Sequence, residues 1–357
     1  MGAVFVLSST RKESEMGEAS SSLLARRRAY RLLGGLLVEG IDSSRAAALA
    51  QLPTLCEYVD ESMDLDELAA QHYSQLSHEL LPFAGVYLGH DGLVGGGAAG
   101  AVLRSAHAVV GIDCPDDPSP DHLGQVLRLM AVLVDAQLDA ISHGDDADAR
   151  TLRHWQRRVL DEAVLPWMPP LAAALGGRSA SLWTRAIEMA IGVLAQHRAE
   201  DPGLPSVVGN CGDEDSLELL LDQPGTGLTT IAAMLTTPVR SGVYLTRGDM
   251  AEVARRCELP RGFGTRRGML EKILRGAAEY DAIPRLMLEL DRLMAARGDT
   301  YAAMAQEPGL AAHVTVWRRR LASTRQQLAR VADAAEGLEK GRGATGSASS
   351  SVVRAGC

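Results

Sequence analysis

The sequence predicts an all-α fold, and three observations carry that prediction. Leu and Ala dominate a chain of 357 residues that is 46% hydrophobic but only 4% aromatic. Ala and Leu lose little on entering a helix, whereas strands favour aromatic and β-branched residues. Apolar residues return at three- and four-residue spacing in one segment after another, which is the period of a helix with a single buried face. Nothing in the chain alternates strand patterns with helix patterns, so a parallel α/β sheet has no support.

Read in order, residues 1–21 are polar and expected to be disordered. The first helix is predicted from about Ser22 to Val38, with Tyr30, Leu33 and Leu37 on one face. Helical stretches follow through Leu49 and Leu55 and from Asp64 to Leu81. Pro82 to Gly100 holds seven glycines and reads as turns, followed by a short helix near Val102–Val110 and an acidic loop from Asp113 to Pro120. Ser119-Pro120-Asp121 supplies an N-cap candidate, a proline for the first helical position and an acid for the positive helix end. Leu123, Val126, Leu127, Met130, Leu133, Val134 and Leu138 then keep helical spacing. A stripe from Leu152 to Val164 ends at Pro166, and another runs from Trp183 to Leu194. Residues 198–237 hold prolines, glycines and Asp213-Glu214-Asp215, and read as a linker. Helical patterning restarts over 238–333, with Thr246-x-x-Asp249 as a capping box, and the Gly/Ser-rich end at 334–357 is expected to be disordered.

Composition and motifs exclude several functions. A net charge of −9 makes a poor general binder of nucleic acid. The five cysteines are scattered without C-x-x-C spacing, as expected of core thiols in a reducing compartment. Arg26-Arg27-Arg28 precedes an apolar run, but Glu39, Asp42 and Arg45 interrupt it, so neither an export signal nor a membrane span is expected. Gly95-Gly96-Gly97-Ala98-Ala99-Gly100 fits G-x-G-x-x-G without the strand and helix that a dinucleotide site needs. His78-Glu79 lacks the second histidine of a zinc motif, because Pro82 stands there. Asp145, Asp146 and Asp148 read as a solvated turn rather than a cation loop. No catalytic residue and no metal ligand is assigned. Asp121 and His122 at the helix start admit two readings, a helix cap or a polar recognition point at the rim of a groove.

Four short motifs in order carry a family resemblance. They are Arg28-Ala29-Tyr30-Arg31-Leu32-Leu33, then Leu81-Pro82-Phe83-Ala84-Gly85-Val86-Tyr87-Leu88, then Pro120-Asp121-His122-Leu123 with Leu127 and Met130, and last Leu165-Pro166-Trp167-Met168. Over about Leu24–His197 the chain resembles the TorD/DmsD/NarJ family of redox-enzyme maturation chaperones. It departs from the family pattern at Ala84, Gly85, Val126, Leu129 and Ala163. The resemblance implies a TorD-like helical bundle over 22–197 with a smaller helical block after it, no catalysis and no cofactor. It implies a cytoplasmic monomer or homodimer whose partner is an apo-molybdoenzyme catalytic subunit or its twin-arginine signal peptide. Tyr87, Asp116, Asp117, Pro120, Asp121, His122 and Trp167 are the candidate client-binding residues, with Asp113, Asp116, Asp117 and Asp121 as an acidic edge for an arginine pair and an apolar groove for the run that follows. The alternative is a helical adaptor that keeps the fold without such a client.

Overall fold

The computed structural model describes residues 3–59, 64–90, 94, 97–116, 118–201 and 226–349, with side chains given between Ser20 and Gly337. Among the described residues there is no strand, and the fold is all-α. The chain forms two units. The first holds α1 (Ala3–Glu39), α2 (Ser43–Leu49), α3 (Leu65–Ser74), α4 (Ala84–Leu88), α5 (Gly97–Val109), α6 (Leu123–Ser142), α7 (Asp146–Arg158), α8 (Met168–Leu175) and α9 (Leu182–Glu200). A π-helical turn at Val159–Val164 and a 3₁₀ turn at Leu165–Trp167 join α7 to α8.

The centre of this unit is α1 against α6. Tyr30, Leu33, Leu36 and Leu37 are fully buried on α1, and Leu123, Val126, Leu127, Met130, Leu133 and Val134 are fully buried on α6. Glycines set the crossing: a Cβ added to Gly124 would stand 2.6 Å from Val38 Cγ2 and 3.0 Å from the Gly34 carbonyl oxygen. Small residues at such a point let two backbones approach where any side chain would hold them apart. Arg27 and Arg31 of α1 pair with Asp135 of α6 along the same seam.

The first unit is closed by a buried ion pair. Asp161, in the π-helical turn, has no exposed side-chain surface, and its Oδ1 accepts from Arg198 Nε at 2.6 Å. A short segment from far along the chain, Gln306–His313, also belongs to this unit. It places His313 Nε2 3.7 Å from Asp161 Oδ1, and Gly309 lies so close to α9 that a Cβ there would stand 1.9 Å from the Ala195 carbonyl oxygen.

The second unit holds α10 (Leu228–Thr236), α11 (Pro238–Ser241), α12 (Arg247–Arg256), α13 (Arg266–Glu279), α14 (Ile283–Met304) and, from Val314 on, α15 (Ala311–Ser349). Its core includes Leu235, Tyr244, Leu270, Leu274, Leu290, Tyr301 and Trp317. The capping box expected at Thr246 is present: Asp249 N donates to Thr246 Oγ1 and Thr246 N to Asp249 Oδ2, each at 3.0 Å.

Several local expectations are corrected. The helices α1 and α15 run from Ala3 and to Ser349, into the stretches 1–21 and 334–357 expected to be disordered; between Ala3 and Glu39 no proline interrupts the backbone ladder. The stretch 198–237 is not all linker, since α9 continues to Glu200 with Arg198 buried and α10 begins at Leu228; its acidic cluster lies outside the described residues. Within the turn-rich segment, Ala84–Leu88 is a short buried helix. The helix expected to start at Pro120 starts at Leu123, for reasons taken up below. Asp145, expected in a solvated turn, is exposed and also caps α7, accepting from Ala147 N and Asp148 N.

The close crossing generates a test. Gly124→Ala forces a methyl into α1 and is expected to destabilise the protein by about 1–3 kcal/mol. Gly192, inside α9, has nothing within 4 Å of an added Cβ, so Gly192→Ala is expected to stabilise by roughly 0.5–1 kcal/mol. Urea midpoints of both variants check the pair; equal effects would show that the crossing is not tight.

Candidate functional site

The segment around Pro82–Tyr87 and the start of α6 are built into one another. Asp121 O accepts from Ala84 N at 3.1 Å, and Asp121 Oδ2 accepts from Gly85 N at 2.9 Å. Pro82 O accepts from Leu123 N at 2.8 Å, and Phe83 and His122 form a single antiparallel bridge. Residues 119–122 form a turn in which His122 N donates to Ser119 O at 2.9 Å, and the bonds to Pro82–Gly85 leave His122 extended (φ −68°, ψ 133°), which explains the late start of α6. His122 itself is the N-cap: its Nδ1 accepts from Gly124 N at 3.1 Å, and its ring meets Phe83 edge-on. Accepting through Nδ1 requires the neutral ring, and burial pushes the His122 pKa down to about 4.

Behind this clasp, Tyr87 stacks on Trp167 with ring centroids 5.3 Å apart, and both are fully buried. Tyr87 donates its hydroxyl to the Leu80 carbonyl at 2.5 Å, and Trp167 donates Nε1–H to the Ala163 carbonyl at 2.9 Å. The structure therefore brings Tyr87, Asp121, His122 and Trp167 together, but as interior joints between motifs. Pro120 is half-buried and Asp116 exposed on the loop before α6, while Asp117 lies outside the described residues.

A surface feature whose residues sequence reading did not name lies between α1, α2 and α6. It is a groove of about 570 Å³ whose floor includes Leu32, Gly35, Ala131 and Val132 and whose rim carries Arg28, Arg31, Arg45, Arg128 and Glu39. Arg45 and Arg128 both bind Glu39, so that carboxylate is already committed. Gly35 on α1 and the Arg128–Val132 turn of α6 face each other only in three dimensions, and no sequence spacing links them. A smaller pocket of about 280 Å³, lined mostly by polar residues, sits beside the middle of α1, at Ser22, Leu23 and Arg26. There Tyr30 Oη and His197 Nδ1 are 2.8 Å apart, and burial pushes the His197 pKa down to about 3. Among the described residues no group of side chains is arranged to hold a metal ion, and no helix is long and apolar enough to cross a membrane.

A helical bundle with an apolar groove and a charged rim has the form of a protein that receives a segment of another chain. Residues 42–173 match the family model described as nitrate reductase delta subunit. The match spans well under half of the chain, and over that stretch the protein is similar to the NarJ/TorD-type family of redox-enzyme maturation chaperones. No curated protein and no solved structure matches it.

The buried histidines predict acid sensitivity. His122 and His197 have folded values of about 4 and about 3 against an ordinary 6.5, so the native state favours the neutral rings. Their contribution is complete above about pH 6.5 and falls as the unfolded chain takes up protons first, reaching a loss of about 2 kcal/mol per histidine by about pH 5. Melting temperatures between about pH 7 and pH 5 should drop, and His197→Gln and His122→Asn should each flatten the slope. An unchanged slope in both variants would place the acid limit elsewhere. Asp121→Ala, which strands the buried Gly85 N–H, should cost about 1–3 kcal/mol at neutral pH.

Proposed function

We propose that this protein is a cytoplasmic chaperone that binds the apo form of a molybdoenzyme, its twin-arginine signal peptide, or both, and holds the client for cofactor insertion before export. The observation that carries this reading is the family match over residues 42–173. Geometry supports it in two ways. The groove floor of Leu32, Ala131 and Val132 suits an apolar, helix-prone run. The exposed Asp113 and Asp116 precede α6 on the loop at its start, while Arg128–Val132 line the groove some 8–14 Å further along the helix axis. An arginine pair is therefore assigned to the acidic loop, with the apolar run in the groove, because the groove's own rim is arginine and Glu39 is taken. Tyr87, Pro120, Asp121, His122 and Trp167 enter this proposal as the frame that fixes the loop and α6. We assign client binding to the first unit, in monomer or homodimer.

The test is titration of the full chain with the leader peptide and with the apo catalytic subunit of a cognate molybdoenzyme. Micromolar binding is expected. Val132→Asp, at a half-buried position of the groove floor, should weaken it at least about tenfold with an unchanged melting temperature, since an apolar guest would have to desolvate the new carboxylate. Binding of neither client would overturn the chaperone reading. Binding indifferent to Val132→Asp would move the client off the groove.

A further inference from the structure

The second unit carries a feature that the family match does not reach. Between α12 and α13 the chain reads Arg261-Gly262-Phe263-Gly264-Thr265-Arg266-Arg267-Gly268. Phe263 is 76% exposed, in a chain that has only three phenylalanines. It is held out by the backbone on both sides. Gly262 has φ +65° and Gly264 φ +105°, regions that side chains oppose. A Cβ at Gly262 would also stand 3.0 Å from the Met269 carbonyl oxygen, so the loop is folded hard against α13 while its tip points to solvent.

The sequence around that tip is rich in cations. From Arg261 to Arg275 the chain holds Arg261, Arg266, Arg267, Lys272 and Arg275 against a single carboxylate, Glu271, although the whole chain carries −9. Arg275 is paired with Glu271. Arg266 lies over the Tyr244 ring, its guanidinium 4.2 Å from the centroid. Lys272 Nζ sits over the Phe263 ring and donates to the Phe263 carbonyl, both at 3.2 Å. Arg261 and Arg267 are exposed and have no partner among the described residues. Glu258, at the start of the loop, is engaged with Arg285.

We propose that this loop docks the protein reversibly on an anionic phospholipid surface. An exposed phenyl ring with Lys272 against it and exposed arginines on both sides in sequence fits the boundary between headgroups and acyl chains: the ring enters the apolar side and the cations meet lipid phosphates. Single-stranded nucleic acid, the other polyanion, calls for a groove and a series of stacking aromatics. Here one ring stands alone on a projecting turn. Docking of this kind is peripheral and weak, and it is sensitive to salt because the cations are exposed.

The full chain, with or without client, should co-sediment with vesicles containing phosphatidylglycerol, not with phosphatidylcholine vesicles, and should be released by high salt. Phe263→Ser and the double variant Arg261→Gln/Arg267→Gln should each lower partitioning about tenfold or more at unchanged melting temperature. Phe263→Trp should bind and shift its emission to the blue on adding anionic vesicles. No partitioning, or partitioning indifferent to these variants, overturns the proposal. So does tighter binding of a single-stranded oligonucleotide or an acidic polypeptide that depends on the same residues. The client titration is separate, so either result stands without the other.

Discussion

The first unit depends on how closely α1 and α6 approach each other. At Gly34 and Gly124 there is no room for a methyl group, and the rest of the unit follows from that contact. It lets the two apolar stripes interlock from Tyr30 to Leu37 and from Leu123 to Val134. It brings Arg27 and Arg31 within reach of Asp135, and Arg128 within reach of Glu39. It also makes the groove: with glycine again at position 35, the face of α1 is cut back just where Ala131 and Val132 of α6 stand opposite. The tight crossing and the open groove beside it thus share one cause, the run of small residues on α1. A surface built this way is rigid on its floor, because both helices are locked, and adjustable at its rim, where arginine side chains have several rotatable bonds.

Three of the four motifs that carry the family resemblance turn out to be joints. Pro82–Tyr87 and Pro120–Leu123 are separated by a glycine-rich stretch and a helix, yet they are tied by backbone and carboxylate hydrogen bonds into a short extended clasp. Leu165–Met168 delivers Trp167 against Tyr87 behind it. A short motif is retained as a recognisable string when several neighbouring residues each have a geometric task, and a joint between two segments imposes that. A groove floor asks only for small apolar residues at helical spacing, which leaves no string to read.

That difference explains what the sequence disclosed. Helix periodicity on α6 and α9, the Thr246 cap and the all-α class were readable because each is a local matter of propensity and spacing. The start of α6 differs from the local capping signal at Ser119-Pro120 because a long-range clasp ties Asp121 to Ala84 and Gly85 and leaves His122 extended as the cap. Arg198 was read as the beginning of a linker because its reason for being buried, Asp161, lies far away in a π-helical turn. The groove needed two helices to be brought together first, and the exposed Phe263 needed the φ angles of its flanking glycines.

The return of Gln306–His313 to the first unit has a consequence in time. The segment that sets Gly309 against α9 and His313 beside Asp161 is made only after Asn210–Ala305, which belong to the other unit. On the ribosome, the N-terminal two hundred residues emerge early, with their long-range ion pair available but one part of their packing still unsynthesised. Chains fold by domains as they emerge when each domain is continuous; here the first unit reaches its final stability after most of the second has appeared. Its completion therefore reports that translation has passed His313, and a chain cut short in the second unit carries an unfinished first one.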